Sequence, residues 1–298
     1  MCGIVGLFLK TGRHEHELGH LTSLMLEQMR ERGPDSAGFA IYGDDSEDET
    51  RLTVLAESVD IDWDEVCGRL SGALDGSVSY RTVLDHAIIE TTAVGSEARR
   101  WLIDHVPEVT VLGFGHAIEL YKAVGDPRLV AERYDLAGRS GTHAIAHTRM
   151  ATESAVTTTG SHPFSTGEDT CLVHNGSLSN HNLLREVLES KGVSFQTEND
   201  TEVAAGYVAW RLTEGDTLVE ALERGIDDLD GFYTLCVGTR DGFAVLRDPI
   251  ACKPAVMAET DDWVAMASEY RSIAQLPDVE HATVWEPEPA RVFAWSRS

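Results

Sequence analysis

Lysine is nearly absent from this chain of 298 residues, which holds only Lys10, Lys122, Lys191 and Lys253. Lysine and arginine together number 24 against 50 aspartates and glutamates, a net charge of −26. So large a deficit of positive charge excludes nucleic acid and anionic membranes as electrostatic partners. The lack of lysine in an otherwise ordinarily hydrophobic chain suits a salt-rich cytoplasm, where screening removes the self-repulsion of an acidic surface, and a halophilic source is expected. Long apolar runs are missing too: none approaches the roughly 20 residues that span a bilayer. The apolar stretch from Ile4 to Leu9 has no basic segment before it and is too short for the core of a secretory signal. The expectation is therefore a soluble, cytoplasmic protein. Cysteine is scarce and scattered, with five residues at 2, 67, 171, 236 and 252 and no C-x-x-C pair. That pattern speaks against a disulfide framework, a zinc site or an iron–sulfur cluster held by this chain, and no metal is expected.

What is present begins at the start of the chain, Met1-Cys2-Gly3-Ile4-Val5-Gly6. Removal of Met1, which small following residues permit, would put a thiol and a free α-amino group on Cys2. Nucleophile and base then belong to one residue, because an α-amino group with a pKa of about 7.7–8.0 is partly unprotonated at neutral pH. Taken alone, a cysteine at this position also fits a chance residue in a small apolar strand.

The apolar spacing predicts a buried strand over 2–9, then a helix with Leu18, Leu21, Met25 and Met29 on one face, stopped by Gly33-Pro34. A strand follows at Phe39–Tyr42, and the acidic run 44–49 reads as a solvated loop. Helices are expected at Trp63–Leu74, Glu97–His105 and Arg128–Tyr134, with a strand or glycine-rich turn at Val109–Gly115. From His143 the pattern gives strands at Ala144–Thr148 and Cys171–His174, helices at Asn182–Lys191, Thr201–Leu212 and Thr217–Arg224, and then short strands to the end. Helices and strands come in blocks, which favours an α+β fold over a doubly wound sheet.

Four polar stretches stand where strands or helices end: Arg32-Gly33-Pro34-Asp35-Ser36, His147-Thr148-Arg149-Met150-Ala151-Thr152, His174-Asn175-Gly176 and Glu198-Asn199-Asp200-Thr201-Glu202. Each has an ordinary structural explanation on its own, since Asn-Gly makes hairpin turns and Asn199 or Asp200 makes a helix N-cap. Together with Cys2, and in this order, they resemble the class II glutamine amidotransferases, whose glutaminase domain is an N-terminal-nucleophile hydrolase. The resemblance covers 2–43 and about 138–276, including Arg247-Asp248-Pro249, Lys253-Pro254 and Ala267-Ser268-Glu269. Within that family it is nearest to the stand-alone amidotransferase subunits of glutamate-synthase-type enzymes, N-methylglutamate synthase among them.

The resemblance implies a four-layer αββα sandwich over 2–298, with an inserted, mostly helical segment at 44–140. It implies that Cys2 attacks the side-chain amide of glutamine, with the Asn175 amide and the Gly176 N–H as oxyanion donors. Arg149 would grip the α-carboxylate and Asp200 the α-ammonium, while Thr152 and His162 would line the pocket and Arg32 would brace the loop beside Cys2. Two departures are visible. Ala151-Thr152 is followed by Glu153-Ser154 where many relatives have His-Gly, and Glu286-Pro287-Glu288-Pro289 replaces a Pro-Gly-Glu. No synthase domain remains in these residues, so the resemblance implies a glutamate-synthase-like partner subunit, carrying FMN and an iron–sulfur cluster, that accepts the ammonia. Two alternatives remain: an N-terminal-cysteine amidase for a different amide, and a non-catalytic regulatory subunit.

Overall fold

The computed structural model describes residues 2–43, 45–56, 61–150 and 156–297. Alternation along the first strand, Gly3–Leu9, sets the architecture, because successive side chains of a strand enter different layers. Val5, Leu7 and Leu9 join one buried cluster with Leu18, Leu21, Met25 and Leu26 of the helix Leu18–Glu27. Ile4 and Phe8, on the opposite face, join a second cluster with Val173, Cys236, Phe243 and Val245 of a facing sheet. Gly6 lies between the sheets, where an added Cβ would come within 2.5 Å of the Phe243 ring and 2.8 Å of the Cys236 sulfur. Only glycine permits so close an approach.

The first sheet has seven strands, in the order Thr283–Trp285, Val256–Glu259, Trp263–Ala267, Gly3–Leu9, His143–Arg149, Ser36–Tyr42 and Ile118–Val124. The second has five, in the order Val292–Ser296, Gly242–Arg247, Gly231–Gly238, Thr170–Leu178 and Phe164–Gly167. Neighbouring strands in both sheets are antiparallel. A third cluster places the helices His181–Ser190, Asp200–Thr213 and Leu218–Asp228 on the outer face of the five-stranded sheet, through Leu188, Val203, Tyr207 and Leu222 against Leu172, Leu235 and Leu246. The order of layers is helix, sheet, sheet, helix, the αββα arrangement expected. No helix among the described residues is long and apolar enough to cross a membrane.

The segment 44–140 corrects one expectation, since it is not mostly helical. Its described residues contain the helices Trp63–Leu74, Gly95–His105 and Pro127–Arg133, but also five strands. Four of them form their own antiparallel sheet, in the order Val78–Val83, His86–Thr91, Thr50–Ala56 and Val109–Gly115, over a separate cluster that includes Leu52, Val54, Leu70, Ile89 and Leu102. The fifth, Ile118–Val124, forms the edge of the seven-stranded sheet beside Ser36–Tyr42. The helices carry a 3.6-residue period that reads clearly, whereas these strands are short and partly solvated. Val78–Val83, for instance, has no buried residue at all.

Candidate active site

Cys2 stands at the entry to the first strand, and its carbonyl oxygen is held from two sides. Arg32 donates to it from Nε at 3.0 Å and Asn175 from Nδ2 at 3.4 Å. Arg32 also donates to Glu269 at 2.7 Å, so it braces the segment beside Cys2 against the end of the Ala267-Ser268-Glu269 motif. Ser268 completes the anchorage: Ile4 N–H donates to its hydroxyl and its own N–H donates to the Ile4 carbonyl, both at 3.0 Å. Gly33 runs against the end of the strand His143–Arg149, and a Cβ there would lie 2.5 Å from the Arg149 nitrogen.

Asn175 is buried within the long strand Thr170–Leu178, opposite Thr234 of the neighbouring strand. Gly176, next to it, has φ of +148°, and a Cβ would meet the Phe232 carbonyl oxygen at 2.0 Å. A side chain at this position is therefore excluded by both conformation and space. Arg247 and Asp248 shape the loop behind it. Asp248 accepts from the N–H groups of Tyr233, Ile250 and Ala251 at 2.8, 2.8 and 3.1 Å, and Arg247 donates to the Lys253 carbonyl at 2.8 Å.

Asp200 opens the helix Asp200–Thr213, where the unpaired N–H groups of the first turn favour negative charge. Its carboxylate accepts the Leu178 N–H at 2.9 Å, which holds it at the end of the strand that carries Asn175 and Gly176. Its motif neighbours serve the fold. Asn199 caps the helix by accepting from Thr201 N–H at 2.9 Å, and Glu202 accepts from the N–H groups of Gln196 and Thr197 at 2.8 Å each. Arg149 closes its strand and donates from Nη1 to the Gly160 carbonyl at 3.0 Å; the Asn199 amide donates to that same oxygen at 3.2 Å. One backbone carbonyl thus links the candidate carboxylate-binding cation to the helix end that carries the candidate ammonium-binding anion. Thr152 lies outside the described residues, as does the part of the loop 152–161 that precedes 156.

Both ring nitrogens of His162, expected to line the pocket, are engaged within the protein. Its Nδ1 accepts the His174 N–H at 3.4 Å, which leaves the proton on Nε2 to be donated to the Thr201 hydroxyl at 3.0 Å. That hydroxyl then donates to His174 Nδ1, also at 3.0 Å. The His147 ring stacks on His162 with centroids 4.0 Å apart. Burial pushes all three imidazoles below their ordinary pKa, His147 to about 3; neighbouring positive charge adds to the effect at His147 and His162, while Asp200 opposes it in part at His174. They are neutral at physiological pH. His147 and His174 sit inside motifs recognisable in the sequence, but nothing there foretold the chain that joins them.

One group among the described residues has metal-ligand spacing: His14, Asp262 and Asp278 each offer an atom within 4.8 Å of the others. Arg13 already stands there, with its Nη1 2.7 Å from Asp262 and 3.3 Å from Asp278. The group belongs to the end of the first strand remote from Cys2.

Residues 147–275 match a family model described as a glutamine amidotransferase domain. The chain is 52% identical over 297 residues to the glutamine amidotransferase-like protein GlxB of Rhizobium meliloti (strain 1021), covering 99% of this chain and 98% of that protein. It is 37% identical over 304 residues to a putative glutamine amidotransferase of Methanothermobacter thermautotrophicus, covering 98% and 99%. Among solved structures it resembles the glutamine phosphoribosylpyrophosphate amidotransferase of B. subtilis complexed with ADP and GMP, with a TM-score of 0.63 and 20% identity over 99% of this chain and 47% of that one. The last likeness speaks for the fold alone.

Proposed function

Because this chain belongs to the class II glutamine amidotransferases, enzymes of the N-terminal-nucleophile type, we propose that it hydrolyses glutamine to glutamate and ammonia through a thioester on Cys2. The observation that carries this reading is the Asn175 amide 3.4 Å from the Cys2 carbonyl oxygen, which sets an oxyanion donor beside the nucleophilic residue. In the proposed sequence the α-amino group of a mature Cys2 takes the thiol proton and the thiolate attacks the amide carbon. The resulting oxyanion is met by Asn175 Nδ2 and Gly176 N–H. Collapse breaks the C–N bond, the α-ammonium returns its proton to the leaving nitrogen, and ammonia departs. Water, deprotonated by the same amine, then attacks the thioester and releases glutamate and the thiolate.

Arg149 and Asp200 supply the specificity for an amino acid, since their charges match an α-carboxylate and an α-ammonium. That pairing favours glutamine over an amide lacking those charges, and an intact nucleophile with its oxyanion donors favours an enzyme over a regulatory scaffold. Arg149→Lys is expected to raise the KM for glutamine, because a point-like ammonium cannot reproduce the forked grip. Loss of a charge-assisted hydrogen bond is worth about 1.5–3 kcal/mol, or roughly ten- to 150-fold in binding. Steady-state kinetics with an unchanged KM would show that Arg149 does not touch the substrate.

We further propose that the ammonia passes to a separate glutamate-synthase-like subunit carrying FMN and an iron–sulfur cluster, and that this chain alone is a poor glutaminase. Hydrolysis without an acceptor wastes glutamine, and a partner that binds the active state of this chain more tightly than the inactive one would couple the two reactions. A tenfold stimulation requires only about 1.4 kcal/mol of differential affinity. The test is glutamate release by the isolated chain and by the chain co-expressed with its partner, with and without acceptor substrate. Full turnover by the isolated chain, unaffected by the partner, would make it a free-standing glutaminase.

A further inference from the structure

Lys122 is one of only four lysines in a chain of net charge −26, and it is buried, with 2% exposure. It projects from the edge strand Ile118–Val124, which the segment 44–140 contributes to the seven-stranded sheet. Among the described residues no carboxylate forms an ion pair with it. Its three ammonium donors go instead to three backbone carbonyls, those of Thr159 at 3.0 Å, Ser161 at 2.9 Å and Pro163 at 3.3 Å, and the nitrogen lies 4.4 Å from the centre of the Phe164 ring. Burial depresses its pKa to about 8.

The alternation of these carbonyls is informative. Residues 159, 161 and 163 turn their oxygens to Lys122, and the intervening Gly160 turns its oxygen to Arg149 and Asn199. Fixing the peptide groups on either side of Gly160 fixes where the Gly160 carbonyl points. An apolar residue in place of Lys122 would fill the space but take this donor from three carbonyls, two of them in buried contacts where an unpaired polar group costs free energy. A lysine confined to packing does not explain the convergence of three acceptors.

We propose that Lys122 is a positioning residue for glutamine recognition. By clamping residues 159–163 it aims the Gly160 carbonyl that holds the Arg149 guanidinium and the N-cap of the Asp200 helix, so the segment 44–140 sets glutamine affinity through one side chain. The inference rests on the reading of Arg149 and Asp200 given above.

The test compares wild type with Lys122→Met, which keeps the length and removes the donors, and with Lys122→Gln, which restores some of them. Lys122→Met is expected to raise the KM for glutamine about tenfold or more, in keeping with the loss of a well-aimed charged contact, while kcat changes little. Lys122→Gln is expected to fall between the two. Inactivation by a diazoketone analogue of glutamine, which carries the α-carboxylate and α-ammonium, should slow in parallel, while alkylation of Cys2 by iodoacetamide, which carries neither, should not. Hydrogen exchange of residues 156–163 should accelerate in Lys122→Met without any ligand. An unchanged KM overturns the proposal, as does a parallel loss of kcat, KM and melting temperature in both variants, the mark of a purely structural role. If wild type itself fails to hydrolyse glutamine, the proposed function fails. Exchange at 156–163 then still decides whether Lys122 holds the segment, and unchanged exchange overturns that too.

Discussion

Replacing Cys2 by alanine is expected to lower glutamine hydrolysis by a factor on the order of 10⁴ or more while leaving the melting temperature essentially unchanged. The two halves of that result have separate causes. Activity is lost because no other group in the proposed sequence can form the thioester, and oxyanion donors without a nucleophile stabilise only the slow attack of water. The fold is kept because the hydrogen bonds of this residue to other described residues run through its carbonyl, which Arg32 and Asn175 hold, and alanine has the same carbonyl. The neighbouring Gly3 is less forgiving: a Cβ there would lie 2.8 Å from both Met29 Cβ and Thr148 Oγ1. Glutamate release and thermal melts on Cys2→Ala check the prediction, and the intact mass of active wild type should correspond to a chain that begins at Cys2. Full activity in protein that retains Met1 would remove the α-amino group from its assigned role as base.

Much of this arrangement is legible in the sequence where a residue's job is local. Strand Gly3–Leu9, the helix that follows it and the amphipathic helices on the second sheet all announce themselves by period and by caps, as at Thr217, whose side chain and Glu220 form a reciprocal capping box. Arg32, Arg149 and Asp200 are recognisable because each lies in a polar motif at the end of an element; the Asn175 motif reads as a strand end too, but the strand runs on to Leu178. What escapes is whatever depends on distant pairing. In Ile118–Val124 the alternation runs Ile118, Leu120, Lys122, and a lysine in the third place disguises a buried strand as a half-solvated one. Thr50–Ala56 pairs with His86–Thr91, so its partner lies well beyond any local window. The strand Phe164–Gly167 is too short to show a period. The role of the Gly160 carbonyl leaves no mark at all, since a backbone oxygen has no residue code.

Acidification is expected to destabilise the protein steeply before its carboxylates protonate. His143 and His147 have their pKa pushed to about 3 by burial, and His162 is held well below the ordinary value for the same reason. In the unfolded chain each returns to about 6.5. Between the two values the unfolded state binds protons that the folded state refuses, so stability rises with pH across that window and falls as pH drops through it. The loss approaches 1.36 kcal/mol per pH unit for each group, or about 2 kcal/mol each near pH 5 for His143 and His147, roughly 4 kcal/mol together, and His162 acts in the same direction. Such a loss is a large part of the total stability of an ordinary domain, about 5–15 kcal/mol. Relief of repulsion in a chain of net charge −26 acts in the opposite direction. It arrives mainly below about pH 4.5, where most carboxylates take protons, and so does not offset the loss above it. Urea melts from neutral pH down to about pH 5 measure the slope. His143 lies apart from the proposed glutamine site, with its ring between the Thr142 hydroxyl and the Thr239 carbonyl at 2.8 Å each and stacked on Tyr42 at 4.0 Å. His143→Gln should therefore remove about one proton from the linkage, whatever it does to stability at neutral pH. A slope that the substitution leaves unchanged, or a wild-type profile that is flat from neutral pH to about pH 5, would mean that these imidazoles titrate normally and are not sealed from water.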